Sequence, residues 1–207
     1  MAGIPSPQPL VPSPHPPTPM TSILLSGVGG QGILLAAKII GAAAERAGLE
    51  VCANEIHGMA QRGGSVRAQV KFGERVHSPL ILEGTADVLA SLEQIEALRS
   101  AHFLKPGGLA VVSKQSIIPV TVSCGAATYP ADVEERLART FPRLKLYDCV
   151  SKAVEMGDPR LANTLLVGML SSALPLSLDD WHAAIHACVK PAFHEANLAA
   201  FDFGRTL

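Results

Sequence analysis

The feature that most constrains the fold is a glycine-rich turn between an apolar run and a helical pattern. The apolar run at 23–26 leads directly into GVGGQG at 27–32, and apolar residues then recur at helical spacing. Gly48 predicts the end of this helix, because glycine commonly occupies the position just after a helix C-terminus. A strand, a glycine-rich turn and a helix in this order open a Rossmann-like fold.

The rest of the chain alternates strand patterns with helical ones. Strands are predicted at 51–54, 66–72, 86–90, 109–112, 120–122 and 144–147, and helices near 92–98, 132–140, 160–173, 178–189 and 191–203. At 65–72 polar and apolar residues alternate, which predicts an exposed strand with one face in water. We therefore expect an α/β fold of three layers with a mostly parallel sheet, Rossmann-like in its N-terminal half, followed by a helical C-terminal section.

Composition excludes several kinds of partner. The formal net charge of the 207 residues is −1, so no excess of basic residues favours nucleic acid or an anionic membrane surface. The charge-free stretch 161–178 contains polar residues and a proline, unlike a membrane-spanning helix. No signal peptide pattern is visible, and the four cysteines form no CxxC pair. We expect a cytoplasmic protein without a disulfide framework.

Residues 1–20 differ from everything that follows them. They contain half of the 16 prolines and no charged residue. Proline lacks a backbone donor and favours the extended polyproline II conformation. We predict a disordered proline-rich arm over 1–20 and a single domain over 21–207.

The turn at 27–32 fits the pattern GxGxxG. In that pattern the first glycine makes a tight turn, the second lets a ligand approach the backbone, and the third lets the helix pack on the strand. Its candidate ligand residues are Gly27, Gly29, Gly30, Gln31 and Gly32. Glu55 stands at about the separation at which a nicotinamide site places an acidic residue for the ribose. A close-packed turn that holds no ligand is at least as good an interpretation.

A second glycine-rich segment, HGMAQRGG at 57–64, follows the next predicted strand. Arg62 offers a planar donor fork to a carboxylate or phosphate, and the glycines around it allow close approach of another backbone. The candidate residues for contact with a partner subunit or an anion are Glu55, His57, Gln61, Arg62, Gly63 and Gly64. The alternative is a surface turn in which Arg62 pairs with Glu55.

The sequence assigns no catalytic residue and no metal ligand. No Ser, Cys or Asp is placed in sequence to form a triad with His57. His182 and His186 have metal-ligand spacing on a helix, but no HExxH pattern accompanies them. Asn163 lies in an apolar helical pattern, where we expect it to cap the helix or to bond locally.

Four segments together resemble a known family. They are GVGGQG at 27–32, EIHGMAQRGG at 55–64, SPLILEGTADVLASLEQIEALR at 78–99 and KPAFHEANLAAF at 190–201. In this combination the chain resembles the gamma-type domain of the 2-oxoacid:ferredoxin oxidoreductases, and most closely the small (beta) subunits of the indolepyruvate enzymes. The resemblance extends from Thr21 to the C-terminus and leaves out the proline-rich arm.

The resemblance implies a role in a larger enzyme. In this family a 2-oxoacid, here an arylpyruvate such as indolepyruvate, is decarboxylated, its acyl group passes to coenzyme A and its electrons pass to ferredoxin. The resemblance also implies that thiamine diphosphate, magnesium and the iron–sulfur clusters lie in a large partner subunit, so that this chain alone binds no cofactor and is inactive. Two other interpretations stay open, a free-standing nucleotide-binding oxidoreductase and a non-catalytic assembly scaffold.

The arm is predicted to be dispensable for folding. A chain that begins at Thr21 should melt at nearly the temperature of the full chain, because a charge-free, proline-rich segment has little to bury against a core. Calorimetry of both chains measures the difference. A Tm lower by more than about 5 °C, or roughly 1–2 kcal/mol for a domain of this size, would mean instead that the arm packs on the domain.

Overall fold

A computed structural model of the chain describes residues 20–57, 63–118, 120–125 and 128–207. The strands are β1 (Thr21–Val28), β2 (Glu50–His57), β3 (Ser65–Gly73), β4 (Ala86–Ser91), β5 (Leu104–Ser113) and β6 (Leu144–Tyr147). The helices are α1 (Ile33–Arg46), α2 (Gln94–Arg99), α3 (Val120–Ser123), α4 (Val133–Thr140), α5 (Cys149–Glu155), α6 (Ala162–Ser171), α7 (Leu178–Cys188) and α8 (His194–Arg205). Short 3-10 turns lie at Ala101–Phe103, Pro159–Leu161 and Pro191–Phe193.

The six strands form one sheet in the order β2-β3-β1-β4-β5-β6. Strands β1, β4, β5 and β6 are parallel, and β3 alone runs antiparallel, between β1 and β2. One face of the sheet packs against α1 and the C-terminal helices α6, α7 and α8, and the other packs against α2 and α4. The expected three-layer α/β architecture with a mostly parallel sheet is therefore confirmed. No described helix has the length and apolar character needed to cross a bilayer.

Strand β3 is an internal strand, so the expectation of an exposed strand with a wet face was wrong. Its four polar side chains do lie on one face, but each contacts an element that crosses that face. Ser65 donates to Glu96, Arg67 lies over the ring of Phe103, Gln69 accepts from the Ile81 amide and Lys71 donates to the Leu80 carbonyl. Polar alternation here reflects hydrogen bonding to covering segments, because a buried polar group needs a partner just as a solvated one does.

One predicted strand is a helix in the structure, and one helix was not predicted. The segment at 120–122 is helical as part of α3, although valine and threonine favour strands. Helix α5 was not predicted, because its seven residues are too few to show a clear period. Its start is nevertheless visible in the structure, where the Asp148 carboxylate accepts from the Ser151 amide as an N-cap. The predicted helices of the C-terminal section correspond to α6, α7 and α8.

Helices α6 and α8 pack with their backbones in contact. A Cβ atom on Gly168 would lie 2.2 Å from the Phe201 carbonyl oxygen, and one on Gly204 would lie 2.2 Å from the Leu165 carbonyl oxygen. Any side chain larger than hydrogen at either position would force the helices apart. The two facing glycines thus set the distance between α6 and α8.

Substitution of Gly168 by alanine should destabilise the protein. Because the new methyl group meets backbone that cannot rotate away, we expect a loss of about 3 kcal/mol of unfolding free energy and a Tm lower by roughly 6–12 °C. The matched control is Gly41→Ala in α1, where the new Cβ would be 3.5 Å from the Val51 side chain. That variant should gain about 0.5–1 kcal/mol, since alanine favours a helix over glycine. Equal Tm changes in the two variants would contradict close α6–α8 packing.

Candidate functional site

Both glycine-rich segments lie at the same end of the sheet, where the parallel strands have their carboxyl ends. The turn at 29–32 follows β1, and Gly63 and Gly64 precede β3, whose first residue pairs with the last residue of β1. Helix α1, which follows β1, packs on one face of the sheet, whereas α2, which follows β4, packs on the other. The β1–β4 neighbourhood is therefore a topological switch point, where open α/β sheets commonly bind ligands.

Backbone hydrogen bonds join the two segments directly. The Gly29 amide donates to the Gly64 carbonyl at 2.8 Å, and the Gly63 amide donates to the Gly29 carbonyl at 3.3 Å. Gln61 and Arg62, both predicted interface residues, lie outside the part of the chain that the structure describes. The structure thus places Gly29, Gly63 and Gly64 in one continuous surface at the carboxyl end of the sheet.

The Gln31 side chain connects three strand ends. Its Oε1 accepts from the Val28 amide at 2.6 Å. Its Nε2 donates to the Leu92 carbonyl at 2.9 Å, just after β4, and to the Gln115 side chain at 2.6 Å, just after β5. A Cβ atom on Gly27 would lie 2.8 Å from Gln31 Oε1, so the Gln31 side chain leaves no room for one. Gly27 and Gln31 therefore serve close packing within the turn.

Gly32 packs against the C-terminal helices. Its φ of +83° lies in the left-handed region that favours glycine, and an added Cβ would lie 2.3 Å from Asn163 Nδ2. Asn163 Nδ2 donates to the Gly32 carbonyl, while Asn163 Oδ1 accepts from Thr164. The buried Thr164 hydroxyl in turn donates to Asn197 Oδ1 at 2.6 Å. Asn163 thus bonds to its neighbour, as expected, and in addition ties α6 to a turn 131 residues away.

A cavity of about 520 Å³ opens beside this turn. Its polar wall contains Gly30, Gln31, Gly32, Gln115, Asn163 and Asn197. Its apolar wall comes from side chains such as Leu35, Leu92, Val150, Leu161 and Val189. This volume and this mixture of an apolar lining with a few polar groups are typical of small-molecule sites.

Two cationic side chains and an aromatic ring lie on the rim of the cavity. Arg160 stands over the ring of Phe193, with its guanidinium carbon 5.3 Å from the ring centroid, and Lys190 lies nearby on the same rim. Arg160 also donates to Asp158, and these hydrogen bonds lower the pKa of the Asp158 carboxyl below its ordinary value. The Asp158 carboxylate, which also lines the cavity, neutralises the Arg160 guanidinium, so that Lys190 leaves the rim with one net positive charge beside an aromatic surface.

The other predicted site residues lie apart from this cavity. Glu55 and His57 are exposed on β2, and β3 separates β2 from β1. Since neighbouring strands are roughly 4.8 Å apart, β2 lies about 10 Å from the glycine-bearing strand, farther than in a dinucleotide-binding βαβ unit whose two strands are adjacent. His182 pairs with Asp202 and His186 contacts His194, so these two histidines have separate partners.

The cavity residues Gln115, Asn197, Lys190 and Phe193 were not identified from the sequence as site residues. The last three fall in the 190–201 segment on which the family resemblance partly rests, so that segment was the available signal. Gln115 follows β5 without any motif, and only the sheet topology brings it to Gln31.

The described residues do not fit a metal or iron–sulfur site. Over the described ranges, no three His, Cys, Asp or Glu side chains come close enough together to hold a metal ion. Cys149 is fully buried, and burial raises the pKa of its thiol to about 12, which disfavours the thiolate that a cluster requires.

Comparison with known proteins identifies the family. The model of the pyruvate ferredoxin/flavodoxin oxidoreductase family matches residues 22–207. The indolepyruvate oxidoreductase subunit IorB of Thermococcus kodakarensis is 42% identical over 188 residues, which cover 88% of this chain and 93% of that relative. The family resemblance inferred from the four sequence segments is thereby confirmed.

Solved structures share the fold. The gamma subunit of a keto/oxoacid ferredoxin oxidoreductase from Geobacter sulfurreducens superimposes with a TM-score of 0.65 at 24% identity, covering 89% of this chain and 95% of that one. A 2-oxoglutarate:ferredoxin oxidoreductase from Magnetococcus marinus, solved with 2-oxoglutarate, coenzyme A and succinyl-CoA bound, gives a TM-score of 0.67 at 24% identity over 90% of this chain and 30% of that one. With the family match, these findings show that the chain belongs to the pyruvate ferredoxin/flavodoxin oxidoreductase family, is related to its indolepyruvate oxidoreductase subunits and has the fold of its gamma subunits.

Proposed function

We propose that this chain is the subunit without clusters in a thiamine-diphosphate-dependent 2-oxoacid:ferredoxin oxidoreductase that acts on an arylpyruvate such as indolepyruvate. The complete enzyme would release CO2, form the acyl-CoA and reduce ferredoxin. The chain alone would be inactive. The observation that carries this proposal is the joining of two glycine-rich segments beside a cavity at the strand ends, in a chain 42% identical to an indolepyruvate oxidoreductase subunit.

The catalytic groups are assigned to a large partner subunit. Thiamine diphosphate supplies the carbanion chemistry when bound, and iron–sulfur clusters carry the electrons. None of the four cysteines Cys52, Cys124, Cys149 and Cys188 is in a disulfide, and over the described ranges they do not form a cluster ligand set, which supports this division of labour. Cysteines outside disulfides are also typical of a reducing compartment, which supports a cytoplasmic location.

The role proposed for this chain is to complete the assembly and to bind part of the cosubstrate coenzyme A. The segment at 57–64 is assigned to contact with the large subunit or with an anion held between the subunits. The cavity beside Gly30 and Gln31 is assigned to coenzyme A, whose phosphates suit the net positive charge that Lys190 gives the rim. We also propose that residues 1–20 form a proline-rich arm and that residues 21–207 form a single domain. In this proposal the domain, and not the arm, contacts the large subunit.

Replacement of Arg62 by alanine should weaken assembly or turnover and leave the fold intact. Loss of a desolvated, charged hydrogen bond typically costs about 2–5 kcal/mol of binding free energy. Arg62→Lys should restore only part of the loss, because an ammonium group cannot reproduce the two-pronged guanidinium geometry. Each variant is mixed with the large subunit, and complex formation and coenzyme-A-dependent reduction of ferredoxin by indolepyruvate are measured.

The matched control for this experiment is Arg46→Ala. Arg46 is exposed in the last turn of α1, roughly 20 Å along the helix from the glycine turn, and should not affect assembly. If Arg62→Ala assembles and turns over like the parent, the segment is a surface turn and not an interface. If the parent assembles with the large subunit but does not support turnover, the scaffold interpretation replaces this proposal, and if the parent does not assemble at all, the free-standing interpretation replaces it.

Reversal of a rim charge should weaken binding of coenzyme A. Lys190→Glu places a carboxylate beside phosphates, so the dissociation constant measured by calorimetry on the full complex should rise more than the roughly 2–5-fold expected for loss of one exposed ion pair. The effect should shrink as salt is added, because exposed charges are screened. Arg139→Glu, a reversal at another exposed cation, on α4 across the sheet, is the control and should leave the dissociation constant unchanged. Equal effects of the two variants would place coenzyme A elsewhere.

A further inference from the structure

We propose that Gln115 is a ligand-binding residue that presents two N–H donors to the cavity, and that Gln31 is the positioning residue that orients it. The inference rests on the proposed coenzyme A role of the cavity and adds the residue and the bond type that would recognise the ligand. Gln115 lines the cavity and is partly exposed there.

The orientation of the Gln31 amide is determined by two backbone groups. The Val28 N–H can only donate, so the Gln31 atom 2.6 Å from it must be the oxygen. The Leu92 carbonyl can only accept, so the Gln31 atom 2.9 Å from it must be the nitrogen. Exchanging the two atoms would place donor against donor and acceptor against acceptor. The side chain therefore has one orientation, although oxygen and nitrogen of an amide are otherwise easily confused.

This orientation dictates that of Gln115. Gln31 Nε2 lies 2.6 Å from the Gln115 side chain, and since a donor needs an acceptor, the nearer Gln115 atom is Oε1. The Gln115 backbone is held as well, because its carbonyl accepts from the Gln94 amide at 3.0 Å. Gln115 Nε2 is consequently the other arm of a fixed amide, and among the described residues no acceptor bonds to it.

Two uncharged N–H donors held in place recognise a hydrogen-bond acceptor. Coenzyme A offers such acceptors at both ends, as phosphoryl oxygens and adenine ring nitrogens in the nucleotide and as amide carbonyls in the pantetheine arm. Both would accept from Gln115 Nε2, and neither would tolerate an oxygen in its place. We therefore predict that the ligand accepts a hydrogen bond from residue 115. An isosteric substitution can replace this donor by an acceptor.

Gln115→Glu performs this inversion. The carboxylate keeps one oxygen for Gln31 Nε2 and turns a second oxygen toward the ligand. At about pH 8 the dissociation constant of the full complex for coenzyme A should rise roughly 10- to 100-fold, as expected for a donor to a charged or desolvated acceptor. At about pH 5, closer to the ordinary glutamate pKa of about 4.3, protonation restores a donor in part of the molecules. The ratio of variant to parent dissociation constants should then be smaller at pH 5 than at pH 8.

Gln115→Met is the matched control. It has similar length but neither donates nor titrates, so its ratio to the parent should be the same at both pH values. Gln31→Met should weaken binding in the parent background but add little in the Gln115→Met background, since Gln31 acts through Gln115. Thermal unfolding of each variant separates loss of binding from loss of fold.

Titration with adenosine 3′,5′-bisphosphate and with pantetheine identifies the acceptor, because only the half that bonds to Gln115 should show the pH-dependent ratio. A Gln115→Glu ratio near one, or a ratio equal at the two pH values, would overturn the inference while assembly and turnover continued to support the proposed function. Absence of coenzyme A binding by the parent complex would overturn both the inference and the cavity assignment. Assembly with the large subunit, measured separately, would still report on the subunit role.

Discussion

The site depends on the pairing of β3 with β1. This antiparallel ladder continues past the strand ends as hydrogen bonds between Gly29 and the backbone of Gly63 and Gly64. It brings together two glycine-rich segments that lie in different connections of the fold. It also moves β2 to the sheet edge, so that Glu55 is held away from the first glycine turn. The geometry that assembles a joint surface from the two segments thus removes the usual place for a ribose-binding acid.

Around this pairing, most polar groups at the strand ends are saturated by each other. Gln31 uses both ends of its amide to bridge the ends of β1, β4 and β5, and the Asn163, Thr164 and Asn197 side chains connect the turn to α6 and α8. Such networks are rigid because each member would leave a neighbour without a partner if it moved. Rigidity gives a defined direction to Gln115 Nε2, to which no acceptor among the described residues bonds. The cavity therefore combines a fixed polar wall with a charged and aromatic rim.

The C-terminal helices close the cavity because their backbones can touch. Gly168 and Gly204 bring α6 and α8 into contact, which positions Asn163 and Asn197 beside each other and beside the glycine turn. The turn from α7 into α8 then contributes Lys190 and Phe193 to the rim. The site therefore depends on small residues that are far from the turn in sequence. Packing of the helix backbones alone thus shapes one wall of the cavity.

Sequence alone determined the local structure and the family. The apolar run followed by GVGGQG predicted β1, its turn and α1, the C-terminal periodicities predicted α6 to α8, and the combination with HGMAQRGG indicated the family that the comparisons confirm. Tertiary structure decided which strands are neighbours, that 120–123 is helical, and that Gln115 and Asn197 reach the turn. The reason is that periodicity records only which face of an element is buried. Strand order and the pairing of distant polar atoms depend on contacts across the whole chain, which no local pattern contains.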